Sequence, residues 1–111
     1  MKEKYKYGIT LLEEEKHKEA YDYFEKLIQN DDHDYTAHYF RGVIEFFFFK
    51  ENLQKCYLDL KCAINGGRNI RNKVYLLLCI ICGNLEKYDE AIKFGELALK
   101  NTTGDDNNSL Y

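Results

Sequence analysis

Apolar residues recur along the chain at three- and four-residue spacing, and polar clusters cut that recurrence into six stretches. Residues 2–15 set Tyr5, Ile9 and Leu12 on one helical face, and a polar turn at Lys16, His17 and Lys18 follows. Residues 18–29 carry Ala20, Tyr23, Phe24, Leu27 and Ile28 along a second stripe. The polar cluster at 30–34 then breaks the pattern, with Asp34 placed to cap the next helix. Further helices are predicted over 35–49, 53–65, 70–83 and 88–100. Gly66 and Gly67 supply a stop, because glycine takes the left-handed cap conformation readily. The stretch 43–49, rich in Val, Ile and Phe, would tolerate a strand, but the rhythm of paired helices favours helix there. Residues 101–111 are small, polar and acidic and read as a flexible, frayed tail.

The second helices of the three pairs open alike, with two polar residues and then a small one. These are Lys18, Glu19 and Ala20; Gln54, Lys55 and Cys56; and Asp89, Glu90 and Ala91. Seven positions after each small residue stand Leu27, Ala63 and Ala98, followed by Ile28, Ile64 and Leu99. A period of about 34 residues with two helices per unit marks a repeat array. Small residues at such sites let helices cross at about 8–10 Å, where a large side chain would force them apart. Gly8, Ala20, Ala63, Ala91 and Ala98 fit that role, as do Cys56 and Cys79 at the Ala20- and Gly8-equivalent positions.

On these residues the chain resembles the tetratricopeptide repeat family over residues 1–100. Repeat 1 (about 1–34) matches through Gly8, Ala20 and Phe24. Repeat 3 (about 70–100) matches through Tyr75, Leu78, Tyr88, Ala91 and Ala98. Repeat 2 (about 35–69) matches through Arg41, Gly42, Cys56, Leu60 and Ala63, with two extra residues between Gly42 and Cys56. The family's Pro is missing from every repeat, Leu27 replaces a small residue, and Gly95 stands where a large one is usual. The resemblance implies an all-α fold, a right-handed superhelix of three helix pairs (about six antiparallel helices). It also implies a concave groove lined by the first helix of each pair.

Carried over by offset, that groove takes Lys2, Tyr5, Ile9, Leu12 and Glu13 from repeat 1. Repeat 2 gives Tyr39, Val43, Phe46 and Phe47, and repeat 3 gives Lys73, Leu76, Ile80 and Asn84. Family members that clamp the terminal carboxylate of acidic chaperone tails use Lys, Asn and Arg at set places. Here those places hold Tyr5, Ile9, Phe40, Lys73 and Leu77, of which Lys73 alone fits, so a carboxylate anchor is not expected.

Composition narrows the function. The chain of 111 residues is 45% hydrophobic and 15% aromatic, too apolar for a disordered segment. Its net charge is −3, and with Asp105 and Asp106 set aside, residues 1–100 hold 16 basic and 17 acidic groups. That balance gives no field to gather phosphates, so nucleic acid is not an expected partner. The longest apolar runs, 46–49 and 74–82, fall far short of the roughly 20 residues that span a bilayer. No apolar signal segment opens the chain, and four cysteines then point to a reducing, cytoplasmic location.

No catalytic constellation is expected. Cys79 and Cys82 form a CxxC inside an apolar helix with no second CxxC or nearby His, which favours packing over metal or redox chemistry. His17, His33 and His38 lie in or beside turns without ligand spacing, and His38 is expected to pack in the interior. The chain's single serine is Ser109, and Gly66 and Gly67 do not form a phosphate loop. The sequence thus implies a non-enzymatic protein without metal or cofactor, holding a protein or peptide partner. Residues 74–82 are apolar nearly all round, and a helix apolar on every side expects a neighbour on every side. Three outcomes fit that surplus: an apolar or amphipathic partner segment in the groove, a homodimer, or packing within the domain.

Overall fold

The computed structural model describes residues 2–104, which form six α-helices without a strand among the described residues. They are α1 (Glu3–Glu13), α2 (His17–Asn30), α3 (Tyr35–Phe48), α4 (Leu53–Ala63), α5 (Arg68–Asn84) and α6 (Tyr88–Gly104). Each helix packs against the next in chain order. The stretch that would tolerate a strand is helical through Phe48, because Ile44 and Glu45 are buried on one side of it. The last helix continues to Gly104, past the predicted end at Lys100. The remainder of the expected tail, 105–111, lies outside the described residues.

Two apolar clusters form the core. Tyr5, Leu11, Ala20, Phe24, Ile28, Ala37 and Ile44 join α1, α2 and α3. Cys56, Leu60, Val74, Leu78, Ile81, Cys82 and Phe94 join α4, α5 and α6. Phe24, Ile44, Leu60 and Leu78 are fully buried. Each contributes about 1.5–3 kcal/mol before the entropy of ordering is counted. The first cluster meets the second where α3 crosses α4: a Cβ on Gly42 would lie 2.7 Å from Leu60 Cδ2. Gly8 is fitted as tightly, since a Cβ there would run into the Phe24 ring.

Capping explains the boundaries. The Asp34 carboxylate accepts from the Ala37 N–H at 3.1 Å, as its position predicts, and Asn52 does the same for Lys55 N–H at 3.0 Å. The predicted glycine cap is different. After α4 the chain tightens into a 3-10 turn (Ile64–Gly66), and Gly67 sits at φ 111°, ψ 170° as the residue before α5. That is a positive-φ extended conformation rather than the left-handed helical one, and it suits glycine alone.

The left-handed cap is instead made by two glutamates, Glu15 at φ 63° and Glu86 at φ 62°. After α1, Lys16 N–H donates to Leu11 C=O at 2.9 Å and Glu15 N–H to Leu12 C=O at 3.0 Å. After α5, Lys87 N–H donates to Cys82 C=O at 2.8 Å and Glu86 N–H to Gly83 C=O at 3.2 Å. Both are Schellman endings. A side chain in this conformation costs about 1 kcal/mol that glycine avoids. Glu15→Gly and Glu86→Gly are therefore expected to raise unfolding stability by roughly 0.5–1 kcal/mol each in urea titrations. Gly42→Ala is expected to lower it by about 1–3 kcal/mol, because the new Cβ meets the fully buried Leu60 side chain.

Candidate functional site

The beginnings of α1, α3 and α5 converge around a cavity of about 480 Å³. Tyr5, Tyr39, Phe40 and Ile70 give it an apolar and aromatic wall, while Lys2, Arg68 and Lys73 stand among the other lining residues. Among the described residues, no acidic one lines it. The first turn of α5 also borders the cavity, and Gly67 offers that helix no side-chain cap. The positive end of the α5 dipole therefore adds to the lysines. Lys73 Nζ lies 6.0 Å from the centre of the Tyr39 ring, at the outer range of a cation–π contact. Burial raises the Tyr39 pKa, so its hydroxyl keeps its proton.

The predicted groove residues divide by depth. Tyr5 is buried, and its hydroxyl donates to Asp34 Oδ1 at 2.6 Å, so it anchors the start of α1 to the start of α3 while walling the cavity. Asp34 is held below the usual carboxylate range. Burial opposes its charge, but hydrogen bonds from Tyr5, Lys4 and the Ala37 N–H outweigh that. Tyr39 is half-buried beside Tyr5 on the cavity wall. Ile9 and Leu12 are half-buried against the first core cluster, Phe46 against the second, and Val43 is half-buried on α3. Leu76 and Ile80, farther along α5, are 59% and 43% exposed. Of the predicted groove residues the cavity thus gathers Lys2, Tyr5, Tyr39 and Lys73, while Ile9, Leu12, Glu13, Val43, Phe46, Phe47, Leu76, Ile80 and Asn84 lie outside its lining.

Of the apolar run 74–82, Val74, Tyr75, Leu78, Ile81 and Cys82 are buried, so most of the surplus is packed within the protein. Leu76 and Ile80 are the part that is not, and Phe47 on α3 is 52% exposed as well. On α5, Lys73, Leu76 and Ile80 follow at helical spacing. An apolar track therefore runs along α5 from the cavity.

A second feature, unforeseen in the sequence, is a buried charge network between α3 and α4. Arg41 grips Asp59 with two hydrogen bonds, Nε to Oδ2 at 2.9 Å and Nη2 to Oδ1 at 2.8 Å. His38 Nδ1 lies 3.0 Å from Asp59 Oδ1 and Nε2 lies 3.1 Å from the Asp32 carbonyl. Both ring nitrogens thus face acceptors, and only the imidazolium donates to both. The hydrogen bond to Asp59 raises the His38 pKa against the effect of burial. His38 is interior, as expected, but it is held by polar contacts rather than by apolar packing.

Glu45, 2% exposed, completes the network. Its Oε2 accepts from the Tyr21 hydroxyl at 2.9 Å and lies 3.4 Å from Lys55 Nζ. Its Oε1 is buried without a hydrogen-bond partner. Burial and the neighbouring Asp59 carboxylate push the Glu45 pKa up to about 7, so a proton on the acid removes a second buried negative charge. Asp59 itself stays ionised: burial opposes its charge, but hydrogen bonds from His38 and Arg41 hold its pKa well below the usual range. The signal was present in the sequence as lone acids inside apolar runs, Glu45 within 43–49 and Asp59 between Leu58 and Leu60.

The four cysteines are free. Cys56 is fully buried, with Sγ 3.2 Å from the Gly42 carbonyl, and burial with the nearby Glu45 and Asp59 charges pushes its thiol up to about 12. Burial raises Cys62 and Cys82 as well. Thiols so shifted stay protonated, which suits packing and opposes nucleophilic chemistry. No described helix is long and apolar enough to cross a membrane. Comparison of the chain with protein-family models gives no match, and neither does comparison with curated proteins or with solved structures.

The network sets a pH dependence. Glu45 has a folded pKa above its unfolded value of 4.5, so its contribution is full below that value and is lost as pH rises through about 7. His38, also raised, acts in the same direction from its unfolded value of 6.5 upward. Stability is therefore expected to fall between about pH 5 and about pH 8, with Glu45 accounting for at most roughly 3 kcal/mol. Glu45→Gln should flatten most of that slope in urea titrations and be the more stable protein at the alkaline end. An unchanged slope would show that Glu45 is ionised throughout.

Proposed function

We propose that the chain is a tetratricopeptide-type repeat domain whose three helix pairs wind as a right-handed superhelix. On this reading it is a non-enzymatic protein-interaction module of the cytosol. It holds an apolar or amphipathic segment of a partner protein along the inner face of α1, α3 and α5. Support for the repeat assignment comes from the paired helices, from small residues at the crossings, and from matching Schellman endings in the first and third pairs.

The observation that carries the binding proposal is the cavity of about 480 Å³ continued by exposed apolar side chains on α5. Its aromatic wall offers burial, Lys2 and Lys73 offer charge, and Leu76 and Ile80 extend contact along one helix. Such a surface suits a segment laid into a groove, where apolar anchors supply affinity and a polar rim sets orientation. Burying each anchor is worth about 1.5–3 kcal/mol, so a few of them overcome the entropy lost on association.

Because Leu76 and Ile80 are exposed, charge there disturbs the surface without opening the core. Ile9, packed against the first core cluster, would not separate the two effects. Leu76→Asp and Ile80→Asp are each expected to melt as the wild type does. In affinity capture from the native cell they should lose the main co-purifying protein by about tenfold or more. Retention of the same partners by both folded variants would show that the inner face is not the binding surface.

A further inference from the structure

The last described helix exposes an apolar stripe whose counterparts on α2 and α4 are covered. Phe94 on α6 is buried in the second core cluster, with Ala91, Leu97 and Ala98 packed around it. Beside that buried face stand Tyr88 (61% exposed), Ile92 (61%) and Leu99 (67%). They fall on one side of the helix at its natural period, with Gly95 between Ile92 and Leu99.

The equivalent residues of α2 are His17, Tyr21 and Ile28, and they receive α3. His17 stacks on Phe48 at 3.6 Å between ring centres, Tyr21 meets Phe49 edge-on at 5.4 Å and bonds Glu45, and Ile28 is buried. On α4 the equivalents of Ile92 and Leu99 are Tyr57, which is buried, and Ile64, which packs against the second cluster. This face is therefore built to receive another helix, and on α6 its apolar residues remain exposed.

We infer that the exposed stripe of α6 is a self-association surface on which a second copy of the chain lays its own α6 antiparallel. Charge pattern argues for the second copy. Asp89, Lys93, Glu96 and Lys100 are exposed along one flank of the stripe and alternate in sign. Two-fold antiparallel packing brings this flank against itself in reverse order. Centred between Phe94 and Gly95, it sets Lys93 toward Glu96 of the second copy and Asp89 toward Lys100, so every charge meets its opposite. The cavity at the other helices contributes no residue to this surface, so the inference is independent of the proposed partner groove.

One helix pair is a small interface, which points to a reversible dimer of micromolar rather than nanomolar affinity. Sedimentation equilibrium of the whole chain from about 10 µM to about 1 mM reads it directly. The expected result is a monomer–dimer equilibrium abolished by Ile92→Asp. Lys93→Glu or Glu96→Lys alone should weaken it by about tenfold, and the two together should restore it. All four positions of the flank are exposed, so circular dichroism melts should match the wild type. A wild type monomeric at the highest concentration overturns the inference, and that is the outcome if this face receives a helix of another protein instead. A dimer unmoved by Ile92→Asp, or a double reversal as weak as the single ones, overturns it equally.

Discussion

The close approach of paired helices is the constraint on which the rest of this structure depends. Each pair has one crossing where a small residue faces a larger one, and the two are matched. In the first pair Gly8 receives the ring of Phe24, and in the second Gly42 receives Leu60. In the third pair the roles are exchanged: the first helix carries Cys79, and the second carries Gly95 at the Phe24-equivalent position. A Cβ on Gly95 would lie 3.2 Å from Cys79 Sγ. Both members of this crossing are therefore small. Interiors are packed to crystal-like density, so a crossing with two small members lets its helices approach closely. With the crossings held, the faces of α1, α3 and α5 that wall the cavity, and the face of α6 beside its buried side, are held too.

The second pair adds a different kind of specification. From α3, His38, Arg41 and Glu45 reach Asp59 on α4 or its surroundings, and Glu45 also takes a hydrogen bond from Tyr21 on α2. A network of this kind adds little net stability against apolar packing of the same shape, because each charge leaves water to join it. Its effect is geometric, since the donors and acceptors meet in one arrangement of three helices. The two extra residues of repeat 2 lie on this side, where the connection from α3 to α4 borders a second cavity of about 500 Å³ with Tyr21, Glu45 and Lys55. The altered connection sets this pair apart from the Schellman endings of the other two. Polar contacts then do at this pair what a shared turn does at the first and third.

Much of this was legible in the sequence, for identifiable reasons. Helix positions follow from apolar periodicity, and all six fall where it predicts within a few residues. The Asp34 cap follows from residue type and place. Depth among the predicted groove residues was not legible. Tyr5 is apolar enough to suit a groove, but its burial depends on Asp34, 29 residues away, accepting its hydroxyl. The Glu15 and Glu86 caps were missed because the left-handed conformation is expected of glycine, and only the backbone hydrogen bonds after α1 and α5 reveal the exception. Gly95 read as a departure from a repeat pattern until Cys79 was seen opposite it. In each case the missing information was the identity of a residue across a helix pair, which spacing within one helix does not carry.

The two proposed surfaces differ in chemistry, and that difference bears on how they work together. The cavity has lysines, a tyrosine hydroxyl and a helix N-terminus at its edge, so a segment entering it is oriented by polar contacts. The α6 stripe is apolar, with alternating charge on one flank, and suits a helix that brings the same pattern. No residue belongs to both. A dimer through α6 therefore leaves each cavity open and ties two of them into one assembly. A partner with two copies of the bound segment, or one displayed on an oligomer, would then engage the second cavity at a local concentration set by the first contact. Modest affinity at each groove becomes firm attachment only when both surfaces act. A weak dimer is enough for this, since a bivalent partner stabilises it by binding across it.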